Sequence, residues 1–424
     1  MARTTAGRRA TIALVAVGLV AAAVLAVQLV RRPGEWDGVY VDAARKLIGG
    51  GDIYGPESSF LYPPFPAVLA IPFIWLGVPA MRVVWFVVNA VCLVFAFRWS
   101  WIVGGGRSAP ISPRGLVAAV LATVIGGTYA LNAIAHQQTD VVIVFLMAGG
   151  ALALSLRRDA LSGALLGLSA AFKATPLIWV AYLLLSRRFL SAIVLVAVFA
   201  LLCLVPDLLW PSPDGRPWVV RWLEQYVLPS QSLATPVGLW GSDIIFNQSL
   251  GGLLQRLINL TMPLPGAEPV DDALVPSMIL RPVTLALLAA FAAISFLAAR
   301  RGRVSASRMP ETDGLEYGLV VAVMLLASPM SSPAHFVALL LPAFALACHA
   351  ARTDSRGSWA TLGIAALLAL LGNKDIAGPW LYDRLLWHGG ATLATLALWL
   401  GGLMALWRSK PAPARSAARP ASAG

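Results

Sequence analysis

Charge, cysteine and histidine are all scarce in this chain. Only 12% of its 424 residues are Asp, Glu, Lys or Arg, roughly half the share of a soluble globular domain. So few charges could not cover a surface in water, whereas a bilayer asks for apolar side chains around each helix. The three cysteines, Cys92, Cys203 and Cys348, all fall in apolar runs with no CxxC or CxxH neighbour. That excludes a disulfide framework and a zinc site, and the three read as small packing residues. No Walker loop, HExxH helix or glycine-rich dinucleotide turn occurs, so P-loop, zincin and Rossmann chemistry are set aside. No direct or inverted repeat is visible.

What is present is hydrophobicity. Apolar residues make up 58% of the chain, and the mean hydropathy is +0.77. The net charge of +12 comes from short Lys/Arg clusters between apolar runs, the distribution of the positive-inside rule. The chain therefore reads as an all-α polytopic membrane protein whose partner is the lipid bilayer, with no nucleic acid involved.

Residues 11–30 form an unbroken apolar run behind Arg3, Arg8 and Arg9. They are expected to be an uncleaved membrane anchor with residues 1–10 in the cytoplasm. Further spans are expected at 81–103, 115–134, 139–156, 189–210, 282–299, 315–329, 334–350, 358–372 and 389–407. The short stretches 160–172 and 174–186 are drawn as a hairpin meeting at Lys173, and the proline-rich 64–79 as an interfacial helix. This gives one bundle over 11–407 with roughly twelve crossings, and it places Arg107, Arg114, Arg157, Arg158, Arg187, Arg188, Arg300, Arg301, Arg303, Arg308, Arg352 and Arg356 in the cytoplasm. Residues 408–424 read as a disordered cytoplasmic tail. The outer side holds two long loops, 31–80 and 211–281, rich in acids, Trp, Tyr and Pro.

Candidate chemistry lies mostly on that outer side. In GEWDGVYVDAARKLIGGGDIYG, Asp37 follows the first span and shares a helical face with Tyr40. A carboxylate there can act as a general base; equally, an Asp opening a helix can serve as its cap. Both readings stand, while Asp42 and Asp52 read as solvated or turn-forming. In AHQQTDVVIV, Gln138 and Asp140 either bind sugar hydroxyls or, for Asp140, favour a helix N-terminus. Lys173, in LSAAFKATPLIW, is a cation deep in an apolar stretch, and a phosphate is its natural partner, with snorkelling as the alternative. FNQSLGGLLQRL offers Asn247 and Gln248, sequon patterns at Asn247 and Asn259, and Arg256, which faces either a phosphate or only the interface. His335, in SPMSSPAHF, is either a hydrogen-bonded structural residue or a phosphate donor. His136, His349 and His388 carry no case.

Taken in order, these segments resemble glycosyltransferase family 87, the polyprenyl-phosphate-sugar-dependent mannosyltransferases of the GT-C fold. The resemblance is carried by Asp37 to Tyr40 with GGGDIYG, YPP at Tyr62–Pro64, QQTD at 137–140 and GLSAAFKATPL around Lys173. NQSLGGLLQR at 247–256 and SPMSSPAH at 328–335 complete it. Two positions depart: Gln137 stands where the family usually has glycine, and Ala334-His335 where it usually has two histidines.

The resemblance implies a GT-C-like bundle that transfers a sugar with inversion at the outer face of the cytoplasmic membrane. The donor would be a polyprenyl-phosphate sugar, mannose first with arabinofuranose as the alternative. The acceptor would be a hydroxyl of a glycolipid or polysaccharide. Asp37 is then the base, and Lys173, Arg256 and His335 face the departing phosphate, in that order. Tyr62, Gln138, Asp140, Asn247 and Gln248 become substrate-binding residues. No cofactor is implied, and a phosphate already leaves well enough to require no metal. The rival is a transporter or flippase, which predicts inverted repeats and mid-membrane polar residues; Lys173 alone matches that.

Overall fold

The structure, a computed structural model, describes residues 32–109, 112–228, 244–259, 277–304 and 309–408. The expected anchor at 11–30, the middle of the 211–281 loop and the tail beyond 408 lie outside these residues. Among the described residues every regular element is a helix. A π-helical turn, Trp36–Val41, leads into α1 (Asp42–Ile48). Next come α2 (Phe65–Ala70), α3 (Val78–Val103), α4 (Pro113–Ala135), α5 (Asp140–Ser155), α6 (Asp159–Phe172), α7 (Ile178–Leu185) and α8 (Phe189–Leu209). The second half holds α9 (Trp218–Trp222), α10 (Leu250–Asn259), α11 (Ser277–Val304), α12 (Thr312–Ala327), α13 (Leu340–Thr353), α14 (Arg356–Leu371), α15 (Lys374–Trp387) and α16 (Gly390–Trp407).

Six helical stretches among the described residues are long and apolar enough to cross a membrane: Val78–Val103, Pro113–Ala135, Phe189–Leu209, Leu280–Gly302, Pro333–Thr353 and Gly390–Trp407. The pair α14–α15, bent by 97°, is a seventh if counted as one span. The other expected crossings fall on shorter helices. α5 and α12 have 16 residues each, about 24 Å at 1.5 Å per residue, against a hydrocarbon core of about 30 Å. The expected interfacial helix at 64–79 is α2 followed by a 3-10 turn, Ile71–Trp75.

Small residues set how tightly the helices approach. A Cβ at Gly163 would lie 2.5 Å from the Ser191 carbonyl, and one at Gly167 2.6 Å from that of Leu195. This GxxxG stripe lets the α6 backbone meet α8 directly, the device membrane helices use where hydrophobicity supplies no drive. The turns after α5 and α7 close on Arg157 and Arg187, both at positive φ.

Two ends of the bundle follow. At one, Arg188 pairs with Asp159, Arg114 with Asp354, and Arg352 with Glu311. At the other, the first loop folds onto the 210–228 segment: Arg221 pairs with Asp52, and Trp222 Nε1 donates to the Leu61 carbonyl at 3.1 Å. Stacked rings of Trp36 and Trp85, 3.5 Å apart, tie the first loop to α3.

Candidate active site

A break in the helical backbone creates the site. α6 stops at Phe172, and Lys173 is extended (φ −158°, ψ 124°) before a 3-10 turn, Thr175–Leu177, opens α7. The break aims the Lys173 ammonium at the N-terminus of α5, where its Nζ lies 3.2 Å from Asp140 Oδ1. The same Nζ meets His335 Nε2, and as donor it leaves the ring proton on Nδ1. His335 enters from the 3-10 turn Pro333–Leu339, its Nε2 3.9 Å from Asp140 Oδ2. Lys173 also stands 5.7 Å over the Tyr62 ring, a cation–π geometry. Asp140, Lys173 and His335 line a small cleft completed by Thr175, Met324, Leu325, Ser328 and Ser331, with Tyr62 beside it.

Beside them is Glu35, which the sequence reading placed only among the outer acids. Its Oε1 accepts from Gln138 Nε2 at 2.5 Å and its Oε2 from the Tyr62 hydroxyl at 3.4 Å. Burial raises its pKa above the ordinary glutamate value, and Lys173 and the Gln138 hydrogen bond pull the other way. A half-buried carboxylate with that balance is suited to hold and release a proton.

Asp37 faces elsewhere. Its Oδ1 accepts from the Gly34 N–H at 2.9 Å, and its Oδ2 is held by Arg82 on α3. Asp37 is the second residue of the Trp36–Val41 turn, and its bond to the Gly34 N–H ties the turn to the chain ahead of it. The side chain expected to be the base is thus held by Gly34 and Arg82.

Arg256 also departs from expectation. It is fully buried, and its guanidinium donates to the carbonyls of Trp387, Ile244, Asn247 and Leu386 rather than opening toward the cleft. Asn247 and Gln248 are equally fixed. Asn247 binds the Pro329 carbonyl and accepts from the Ser331 N–H, while Gln248 binds Leu386 O and accepts from Ala391 N–H. These three staple α10 and its entry loop to the 329–331 and 386–391 turns. They shape the wall behind Ser331 and do not line the cleft. Of the expected residues, Tyr62, Gln138, Asp140, Lys173 and His335 come together, and Asp37, Arg256, Asn247 and Gln248 stand apart. The signal for Glu35 was Gly34-x-x-Asp37, a spacing whose bond turns the neighbouring carboxylate inward.

A helical bundle that sets a cation, an imidazole and a carboxylate around one cleft, with a second carboxylate beside it, has the make-up of a membrane enzyme site. The sequence profile of glycosyltransferase family 87 matches residues 60–329. The chain belongs to that family. It is 29% identical over 227 residues to the polyprenol-phosphate-mannose-dependent alpha-(1-2)-phosphatidylinositol mannoside mannosyltransferase of Mycobacterium tuberculosis. That match covers 50% of each chain, so this chain spans half the length of that relative. Among solved structures, ArnT from Cupriavidus metallidurans bound to undecaprenyl phosphate superposes with a TM-score of 0.45 and 16% identity, covering 93% of this chain and 76% of that one.

Proposed function

We propose that this protein moves a sugar, mannose in the first instance, from a polyprenyl-phosphate donor to a hydroxyl of a glycolipid or polysaccharide. Transfer inverts the anomeric centre and takes place at the outer face of the cytoplasmic membrane. The shorter apolar helices complete a GT-C-like bundle of roughly twelve crossings, oriented by the arginine distribution. The carrying observation is that Glu35 binds the Tyr62 hydroxyl while Lys173 stands over the Tyr62 ring: a carboxylate and a cation share one neighbour, as a base for the hydroxyl and a partner for the phosphate would.

In this reading Glu35 takes the acceptor hydroxyl's proton as that oxygen attacks the anomeric carbon. The bond from that carbon to the phosphate oxygen breaks, and polyprenyl phosphate leaves with the electron pair. Lys173, oriented by Asp140, neutralises the charge gathering on the phosphate, and His335 lies close enough to donate to it. Gln138 and Tyr62 hold the Glu35 carboxylate in position. Because Asp37 is held by the Gly34 N–H and Arg82, Glu35 takes its place as the base in this reading.

The test is transfer from labelled polyprenyl-phosphate mannose and arabinose in membranes carrying Glu35→Gln or Asp37→Asn protein. Mannose should reach a lipid or polysaccharide acceptor. Glu35→Gln should lower the rate about 10²–10⁴-fold, the usual cost of losing a positioned base. Asn keeps an oxygen for the Gly34 N–H but loses the charge that Arg82 pairs with, so Asp37→Asn should lower the melting temperature yet keep more activity than Glu35→Gln. The opposite ranking returns the base to Asp37, and label arriving only from the arabinose donor overturns the mannose assignment.

A further inference from the structure

Tyr62 sits in a stretch of backbone that cannot fasten itself. From Phe60 to Pro64 the chain forms no regular element, and Pro63 and Pro64 have no N–H to give. Its carbonyls need donors from elsewhere, and two arrive on consecutive residues. Trp222 Nε1 donates to the Leu61 carbonyl at 3.1 Å, and the Tyr54 hydroxyl donates to the Tyr62 carbonyl at 2.9 Å.

Both donors belong to one frame. Trp222 closes α9 and is only 5% exposed. α9 is fixed in turn to the end of α8. There Asp207 Oδ1 accepts from the Trp218 N–H at 2.8 Å, and the Trp210 carbonyl accepts from Trp218 Nε1 at 2.7 Å. Tyr54 packs edge-on against Trp218 and Tyr226 of the same segment.

That frame holds the ring that serves Glu35. The Tyr62 hydroxyl reaches Glu35 Oε2 at 3.4 Å, long for an O–H···O bond, so its strength depends on where the backbone places the ring. Tyr40 stacks on the ring with centroids 4.9 Å apart. Stacking resists tilting but tolerates offset in the ring plane, and the hydroxyl lies in that plane. The two bonds to the backbone stop the slide. We propose that Trp222 is a positioning residue for sugar transfer: by fixing the Leu61 carbonyl it sets the Tyr62 hydroxyl against Glu35. The assignment rests on Glu35 acting as the base. It adds what keeps that base in place, a tryptophan from the second long loop that is not among the residues lining the cleft.

The experiment is a double-mutant cycle on purified full-length protein, read as kcat and KM for polyprenyl-phosphate mannose. Trp222→Phe keeps a buried ring and loses the N–H. It should lower kcat about tenfold, the scale of one lost buried hydrogen bond. KM for the donor should stay, because Asp140 still holds Lys173. Tyr62→Phe deletes the hydroxyl that Trp222 serves, so adding Trp222→Phe to it should cost nothing further. Tyr54→Phe removes a single oxygen, should repeat the pattern, and carries the test where Trp222→Phe does not fold. Trp218→Phe takes the same kind of N–H from the same helix, away from Tyr62; it should lower the melting temperature and keep kcat. Additive losses in the cycle, a change in KM instead of kcat, or an equal kcat loss in Trp218→Phe each overturn the assignment. Should the wild type transfer no sugar, the function reading fails by itself. Trp222 is then judged by the rate at which dicyclohexylcarbodiimide, a reagent for protonated carboxyls, labels Glu35 in peptide mass spectrometry. A donor lost from a carboxylate favours its protonated form, so Trp222→Phe and Tyr62→Phe should both label faster than wild type and Trp218→Phe should not. A wild-type rate in Trp222→Phe, or an equal rise in Trp218→Phe, overturns the assignment.

Discussion

Gln137 lies so close to Gly34 that a Cβ at position 34 would sit 2.5 Å from the Gln137 Cδ. Gln137 holds φ +54°, a left-handed backbone that favours glycine. In exchange, its side chain donates to the Arg32 carbonyl, and its own carbonyl accepts from Trp85 Nε1. The neighbouring His136 carbonyl receives the Glu35 N–H at 3.0 Å. The residue that departs from the family's glycine therefore latches the first loop and positions Glu35.

Gly34→Ala should accordingly lower turnover about tenfold by pushing the loop off Gln137, an effect of about 1–2 kcal/mol. Adding Gln137→Gly removes both the obstruction and the left-handed cost of roughly 1 kcal/mol, and should recover part of the rate. Turnover and Tm of the two single variants and the double variant close the cycle. Strict additivity would show that the two residues do not act through each other.

The pH profile reports on Glu35. A base works deprotonated, so the rate should rise with pH through the Glu35 pKa, and burial places that limb above the ordinary glutamate range. The measurement is kcat/KM against pH for wild type and Glu35→Gln. The residual activity of the variant should have lost this limb, and an identical acid limb in both would assign it to another group.

Arg256 should behave as a structural residue. Lysine cannot reproduce the guanidinium fork, and each buried carbonyl left without a donor costs about 1–3 kcal/mol. Arg256→Lys should therefore lower the melting temperature of detergent-extracted protein markedly while the surviving enzyme keeps its KM for donor. A large rise in KM with an unmoved melting temperature would return Arg256 to the phosphate.

Sidedness is open to thiol labelling. The three native cysteines are buried and can be replaced before single cysteines are placed at exposed positions. An impermeant reagent added to intact cells should label Glu57→Cys and spare Arg107→Cys and Arg356→Cys. The reverse pattern would invert the bundle.

Legibility in the sequence followed the contrast between a residue and its surroundings. Lys173, Asp140 and Gln138 are polar groups set into apolar runs, and the cleft gathers them. His335 and Tyr62 were legible only within their short motifs. Glu35 was hidden because two carboxylates two residues apart look alike until the helical turn is phased. That phase is set by Gly34 N–H and by Arg82, a cation 45 residues away inside an apolar helix. Arg256 was ambiguous for a related reason. An arginine on a short helix looks the same whether carbonyls or a phosphate await it, and the carbonyls come from residues up to 131 positions distant. Helix positions were legible both where helices are long, as in α3 and α8, and where they have 16 residues, as in α5 and α12.

The fastening of the first loop to the 210–228 segment bears on how such enzymes diversify. Arg221 reaches Asp52 and Asp214 together, and Trp222 reaches Leu61. A chimera that imported only a relative's first loop would part Asp52 from Arg221 and leave the guanidinium with Asp214 as its one carboxylate partner. The two segments therefore behave as a single inheritable module. Substitutions at 52 and 221 are expected to be accepted jointly, and a graft of the first loop should carry the 210–228 segment with it.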